Sequence, residues 1–170
     1  MKAVKWLVVA MAIAGLCATA SAARMEQGTQ ELNIEGSAQD LDELEYNVSV
    51  GYGYFVAKDA MIGGLVGYEA EGDAWALTLG AKAEYNFDMD SVMVPFVGIG
   101  IRWGYADDGN GNNDDTYVIT PNAGVKYFVT DNLSVGLRVQ YHKADIERYK
   151  YEDEWKDTKT TLELDTRFYF

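Results

Sequence analysis

Apolar and polar residues alternate with a period of two along most of this chain, the pattern of strands whose two faces meet different surroundings. The last stretch shows it best. Leu162, Leu164, Thr166, Phe168 and Phe170 fall on one face, and Glu163, Asp165, Arg167 and Tyr169 on the other. A weaker first strand is predicted over 28–38, with Leu32, Ile34, Gly36 and Ala38 opposite Glu31, Asn33 and Glu35. Further strands are predicted over 44–56, 61–69, 75–87, 92–104, 117–128 and 133–143, which with 162–170 makes eight. Short turns are predicted at 57–60, 88–91 and 129–132, and more polar connections at 39–43, 70–73, 107–115 and 145–159. Pro95 has no backbone donor for a ladder, which places it near a strand end or a bulge.

One hairpin occurs twice. Tyr54-Phe55-Val56 and Tyr127-Phe128-Val129 open matching strand–turn–strand units, and Gly63, Val66 and Tyr68 correspond to Gly136, Val139 and Tyr141. The offset is 73 residues throughout.

Alternation alone leaves open which face points inward, and the residues on each face decide it. One face mixes glycines (Gly51, Gly53, Gly80, Gly98, Gly100, Gly124, Gly136) with Lys82, Glu84, Arg102, Lys126 and Arg138. Small residues beside long charged ones suit the crowded interior of a narrow barrel, whereas a solvated face has no use for the glycines. On the apolar face, aromatics gather at the strand ends. Tyr68, Trp75, Trp103, Tyr117 and Tyr141 mark one rim, and Tyr54, Tyr85, Phe87, Tyr127, Phe168 and Phe170 the other. Trp75 and Tyr85 are ten residues apart, roughly 25 Å of height at about 3.3 Å per residue and a tilt of about 40°. That is the height of a lipid-facing band between two interfacial aromatic girdles.

The N-terminus adds an export signal. Lys2 and Lys5 precede an apolar run from Trp6 to Cys17, and Ala20-Ser21-Ala22 supplies a cleavage pattern. The run is too short for a spanning helix. Residues 1–22 are expected to be a signal peptide, with cleavage after Ala23 as the alternative, and 23–170 to be the barrel domain. Leu16 before Cys17 argues against a lipoprotein, so the single cysteine is expected to leave with the signal, along with any thiol chemistry. The net charge of −13 becomes −15 once Lys2 and Lys5 are removed. An acidic exported chain is a poor partner for nucleic acid or anionic lipid.

The units GYGYFVAKDAMIGGLVGY and AGVKYFVTDNLSVGLRVQY, the stretch VPFVGIGIRWGY and the aromatic C-terminus resemble the small bacterial outer-membrane β-barrel domain family, which includes OmpX, the OmpA barrel and porin-like members. The resemblance covers about residues 28–170. It implies an all-β fold, an eight-stranded antiparallel up-and-down transmembrane β-barrel, in the outer membrane of a Gram-negative bacterium. It also implies contact with outer-membrane lipids and lipopolysaccharide, and recognition of the C-terminal strand by the barrel assembly machinery. A monomer is expected, with no nucleic acid partner.

Little in the sequence points to chemistry. His142 is the only histidine, predicted to face inward near the outer rim, and no serine follows it in the pattern of a barrel esterase. Asp108, Asn110 and Asn112 have the spacing that opens a calcium loop, but Asn113 stands where glycine is expected and no glutamate closes the site, so a solvated loop is expected. Asn47-Val48-Ser49 matches a glycosylation sequon inside a predicted membrane strand and is discounted. Glu84, Glu163 and Asp165 against Lys82, Lys126, Arg102, Arg138 and Arg167 read as a plug of paired charges, since an eight-stranded barrel is only wide enough to be filled by side chains. No catalytic, cofactor-binding or metal-binding residue is assigned. The expected role is non-enzymatic, in envelope integrity or surface interaction through the outer loops. A narrow porin-like channel is the alternative, and a lipid-modifying outer-membrane enzyme the third reading.

The terminal strand yields a first test. Phe170→Ala removes apolar contact worth about 1–2 kcal/mol at a half-exposed site, a loss that a closed barrel survives. If the strand is also the assembly signal, the variant refolds in detergent nearly as well as the parent but accumulates poorly in the outer membrane. A substitution at Tyr169, on the opposite face, is expected to be milder in cells. Parental membrane levels of Phe170→Ala would remove the targeting argument.

Overall fold

In the computed structural model, the described residues are 25–39, 45–71, 74–107, 113–145, 149–151 and 154–170. The expected signal peptide lies outside them, as do residues 108–112 of the expected solvated loop over 107–115. Strands β1 (Gln30–Gln39), β2 (Glu45–Ala57), β3 (Ala60–Glu71), β4 (Ala74–Asn86), β5 (Met93–Asp107), β6 (Asn113–Thr130), β7 (Leu133–Ala144) and β10 (Thr158–Tyr169) form one closed barrel. Each pairs antiparallel with its neighbours in the chain, and β1 closes on β10, with Leu32 opposite Phe168 and Glu35 opposite Asp165. Closure leaves no open ladder edge, as the bilayer requires. No helix among the described residues is long and apolar enough to cross a membrane, which says nothing of crossing by strands.

The strands extend further outward than the alternation predicts. β5 runs to Asp107, β6 begins at Asn113, and β10 begins at Thr158. The segment 145–159 also holds a small hairpin of β8 (Tyr149–Tyr151) and β9 (Glu154–Lys156). Above the lipid band both faces of a strand meet polar surroundings, so alternation fades while the backbone ladder continues. Pro95 lies near the start of β5. Its carbonyl accepts from Phe87 N beyond the last β4–β5 pair, so its missing donor faces no ladder partner. Pro121 lies within β6, where pairing with β7 skips from Ile119–Lys143 to Asn122–Gln140.

The two matching hairpins are β2–β3 and β6–β7, and they share a defect. The register shifts between Phe55 and Ala57 in one and between Phe128 and Thr130 in the other, again 73 residues apart. Each bulge passes an extra residue, Val56 or Val129, beside an inward phenylalanine. Phe55 and Phe128 are both buried, and with Met25, Met61, Val94 and Tyr169 they form an apolar base at the end bearing the short turns. The rings of Phe55 and Phe128 lie 6.4 and 5.2 Å from that of Tyr169. Met25 reaches this base through a left-handed backbone (φ 53°), and its carbonyl accepts from Asp59 N. Tyr169 is therefore a packing residue, and Tyr169→Ala is not a mild control for the terminal strand. Tyr169→Phe keeps the ring and removes only the hydroxyl, 3.3 Å from Ser134 Oγ.

The outward positions carry Val66, Leu77, Leu79, Ile99, Ile101 and Leu164, each about half exposed or more, between the two aromatic rims. Phe168 keeps its place at the end bearing the short turns but is buried, flanked in register by Leu32 and Leu133. Inside, glycines make room for their neighbours. A Cβ on Gly136 would fall 2.4 Å from Asp165 Oδ1, and one on Gly124 would fall 2.4 Å from the Leu137 carbonyl oxygen. Gly64 faces outward, where a Cβ would meet only the Gly80 carbonyl oxygen, at 3.6 Å. Gly136→Ala is expected to destabilise the barrel by about 1–3 kcal/mol through overpacking, and Gly64→Ala to leave it nearly unchanged. Urea unfolding of both variants in lipid vesicles checks the contrast.

Candidate functional site

The interior between the apolar base and the outer mouth is filled with charge. Among the described residues, five carboxylates (Glu31, Glu35, Glu84, Glu163, Asp165) face five cations (Lys82, Arg102, Lys126, Arg138, Arg167), and all ten side chains are shielded from solvent. Alternation puts them there. Each strand that contributes a charge points it inward on the same register that turns its apolar residues to lipid.

Arg167 is the centre of the lower half. Its Nε and Nη2 donate to the two oxygens of Asp165, at 2.8 and 3.0 Å. Its Nη1 donates to both oxygens of Glu84, at 2.9 Å each, and lies 3.4 Å from Glu31. Lys126 joins the same carboxylates, 2.5 Å from Glu84 and 3.4 Å from Glu31. Beneath them lies the Phe96 ring, whose centroid is 4.6 Å from the Arg167 guanidinium carbon and 5.3 Å from Lys126 Nζ. In the upper half, Arg138 lies 2.8 Å from Glu35, 3.7 Å from Glu163 and 3.6 Å from Asp165. Arg102 approaches Glu35 at 3.8 Å and Gln140 at 3.4 Å. Lys82 links the halves through Glu31 and Glu35, and it donates to Asn33 at 2.9 Å. Asn33 is also hydrogen-bonded to Glu35, and Gln140 to Glu163.

Every charge of the predicted plug takes part. Glu31 and Glu35 belong to it as well, although the first strand looked weak; their place on its polar face was the available signal. The void among Lys82, Glu84, Arg102, Asn122, Arg138 and Gln140 measures about 10 Å³, room for about one water molecule.

His142 sits above this plug at the Pro121 gap. Its Nδ1 is 3.3 Å from Thr120 Oγ1 and its Nε2 is 2.9 Å from Thr161 Oγ1. The ring thus spans β6, β7 and β10 beside the lapse in β6–β7 pairing, while β7 and β10 stay paired. His142 and Thr161 are 6% and 7% exposed and face the lumen, with the barrel wall between them and any lipid ester. No group of metal-binding side chains occurs among the described residues.

A model of the outer membrane protein beta-barrel domain family matches residues 8–168. Among solved structures, Neisserial surface protein A is 19% identical, with 84% of this chain covering 96% of that one at a TM-score of 0.62. The N-terminal β-barrel domain of Pseudomonas aeruginosa OprF is 18% identical, with coverages of 85% and 98% and a TM-score of 0.62. The outer membrane enzyme PagL is 16% identical, with coverages of 81% and 98% and a TM-score of 0.51. At these identities the likeness is one of fold. None of the curated proteins matches the sequence.

The centre of the plug can be tested directly. Arg167→Met leaves Glu84 and Asp165 buried without their main partner and is expected to cost about 3–5 kcal/mol of unfolding free energy. Lys143 pairs with Asp157 at the outer rim, where both are about half exposed, so Lys143→Met is expected to cost less than about 1 kcal/mol. Equilibrium unfolding in vesicles measures both.

Proposed function

The chain belongs to the outer membrane protein beta-barrel domain family and resides in the bacterial outer membrane, and within that family we propose a non-enzymatic role. The barrel serves envelope integrity or surface interaction through the stretches at its outer end, after export by a cleaved signal peptide. The assembly machinery reads its C-terminal strand, and lipids and lipopolysaccharide surround it. The observation that carries this reading is the filled lumen. Its charges are paired with one another, and an apolar base closes the periplasmic end.

The other readings meet physical obstacles. A channel needs a continuous aqueous path, and moving ions through this interior would require separating charge pairs in a low-dielectric tube, at several kcal/mol each. An enzyme does occur on this fold, but His142 is turned inward between two threonines, away from lipid substrates.

Planar-bilayer recording of the refolded protein separates the first two. Steady conduction is expected to be absent; a reproducible open channel of porin size would replace this reading with the narrow channel. Lipid-hydrolysing activity lost in His142→Ala would favour the enzyme instead.

A further inference from the structure

We propose that the lipid-facing wall of β3 and β4 seats one acyl chain of a phospholipid from the periplasmic leaflet. Most outward positions are bulky, but three neighbouring ones are small. Gly64 on β3 is paired with Ala81 on β4, and Ala83 follows two residues on, opposite Ile62. Walls rise on both sides of this floor. On β2, Tyr52 stands opposite Gly64 and Tyr54 opposite Ile62. On β5, Ile101 stands opposite Ala81 and Ile99 opposite Ala83. The trough they enclose has a volume of about 540 Å³ and is almost wholly apolar.

Its dimensions suit a hydrocarbon chain. At Gly64 and Ala81 the walls stand three strand spacings apart, about 14 Å between backbones, while at Ala83 the wall on the β3 side is Ile62, two spacings from Ile99; less the side chains that form them, about one chain width remains. Along β4 the trough lies between Leu79 and Tyr85, about 20 Å of strand, and Val66 and Leu79 close its upper end. Tyr52 is held back from the floor. Its hydroxyl donates to Gln30 Oε1 on β1 at 2.6 Å, tying the ring toward the far side of β2. Tyr54 and Tyr85, at the periplasmic rim, mark where the headgroup of such a lipid would lie.

The occupant follows from the surroundings. This face adjoins the bilayer, so the trough is continuous with an interface that lipid tails already cover. A second barrel is convex, and two convex walls meet along a line and leave a concavity of this width empty. A flexible chain follows it.

The test uses the whole folded protein, extracted in mild detergent, supplied with a long-chain phosphatidylethanolamine and weighed by native mass spectrometry. The parent is expected to retain one phospholipid at activation energies that strip detergent. Ala81→Leu/Ala83→Leu fills the floor and is expected to lose it. Gly64→Leu gives a second filling variant, because its Cβ meets little protein. Ala123→Leu, on the exposed outward face of β6 away from the trough, is expected to keep it. Heat-modifiable migration on SDS gels confirms folding in each case. Equal retention by parent and filled variants, no retention by the parent, or equal loss in Ala123→Leu would each overturn the proposal. A two-chain species that disappears on filling would overturn it in favour of a second copy.

Discussion

An arginine in the middle of a closed tube, inside a bilayer, has only its neighbours to balance its charge. Arg167 is completely buried, and every other feature of the interior accommodates it. Its guanidinium takes Asp165 from its own strand, Glu84 from β4 and, more distantly, Glu31 from β1. Those carboxylates exceed the single charge at the centre, so Lys126, Lys82 and Arg138 are drawn in, and with Arg138 come Glu35 and Glu163. The set balances only as a whole. A slip of one residue in any contributing strand would turn its charge toward lipid and its apolar residues into the lumen, which pins the register of the entire barrel. The inward glycines belong to the same constraint, since Gly136 leaves the space in which Asp165 lies.

The apolar base gives these pairs their setting. Phe55, Met61, Val94, Phe128, Tyr169 and Met25 stop the lumen below the lowest charges. Phe96 faces both Arg167 and Lys126 and joins the two layers by cation–π contact. Water entering from below would weaken each pair by raising the local dielectric. The twofold repeat of the hairpin sequence thus has a structural sense: each copy brings one phenylalanine to the base and one bulge that aims it there.

Most of this was legible in the alternation, because a barrel wall has only two faces and the residue types differ between them. Eight strands, the inward charges and both hairpins of the repeat follow from it. Three things did not. Strand ends beyond the lipid band carry no contrast between faces, so β6 began four residues before Tyr117 and β10 four before Leu162. The base was hidden because Phe55, Val94 and Phe128 are apolar residues on the polar face, a reversal visible only once the register is closed. Tyr169 looked interchangeable with other inward residues, yet two rings from distant strands pack against it. Such contacts depend on which strands lie across the lumen, and local pattern carries no record of that.

Among the described residues, the five carboxylates and five cations of the plug cancel, so together they add nothing to the chain's net charge of −13. The apolar outer wall carries almost none of that excess, because charge is costly in lipid. The sequence concentrates acids in three stretches: Asp40, Asp42 and Glu43 in one, Asp107, Asp108, Asp114 and Asp115 in another, and Glu147, Glu152, Asp153, Glu154 and Asp157 in the last. A neutral, locked interior holds the shape of the barrel, and the sequence keeps its excess of acids for other stretches. Carboxylates at a membrane surface repel phosphate headgroups at close range, so direct pairing there favours basic groups or cations shared with the lipid. Within the proposed non-enzymatic role, the charge partition therefore directs attention to what these acidic stretches attract.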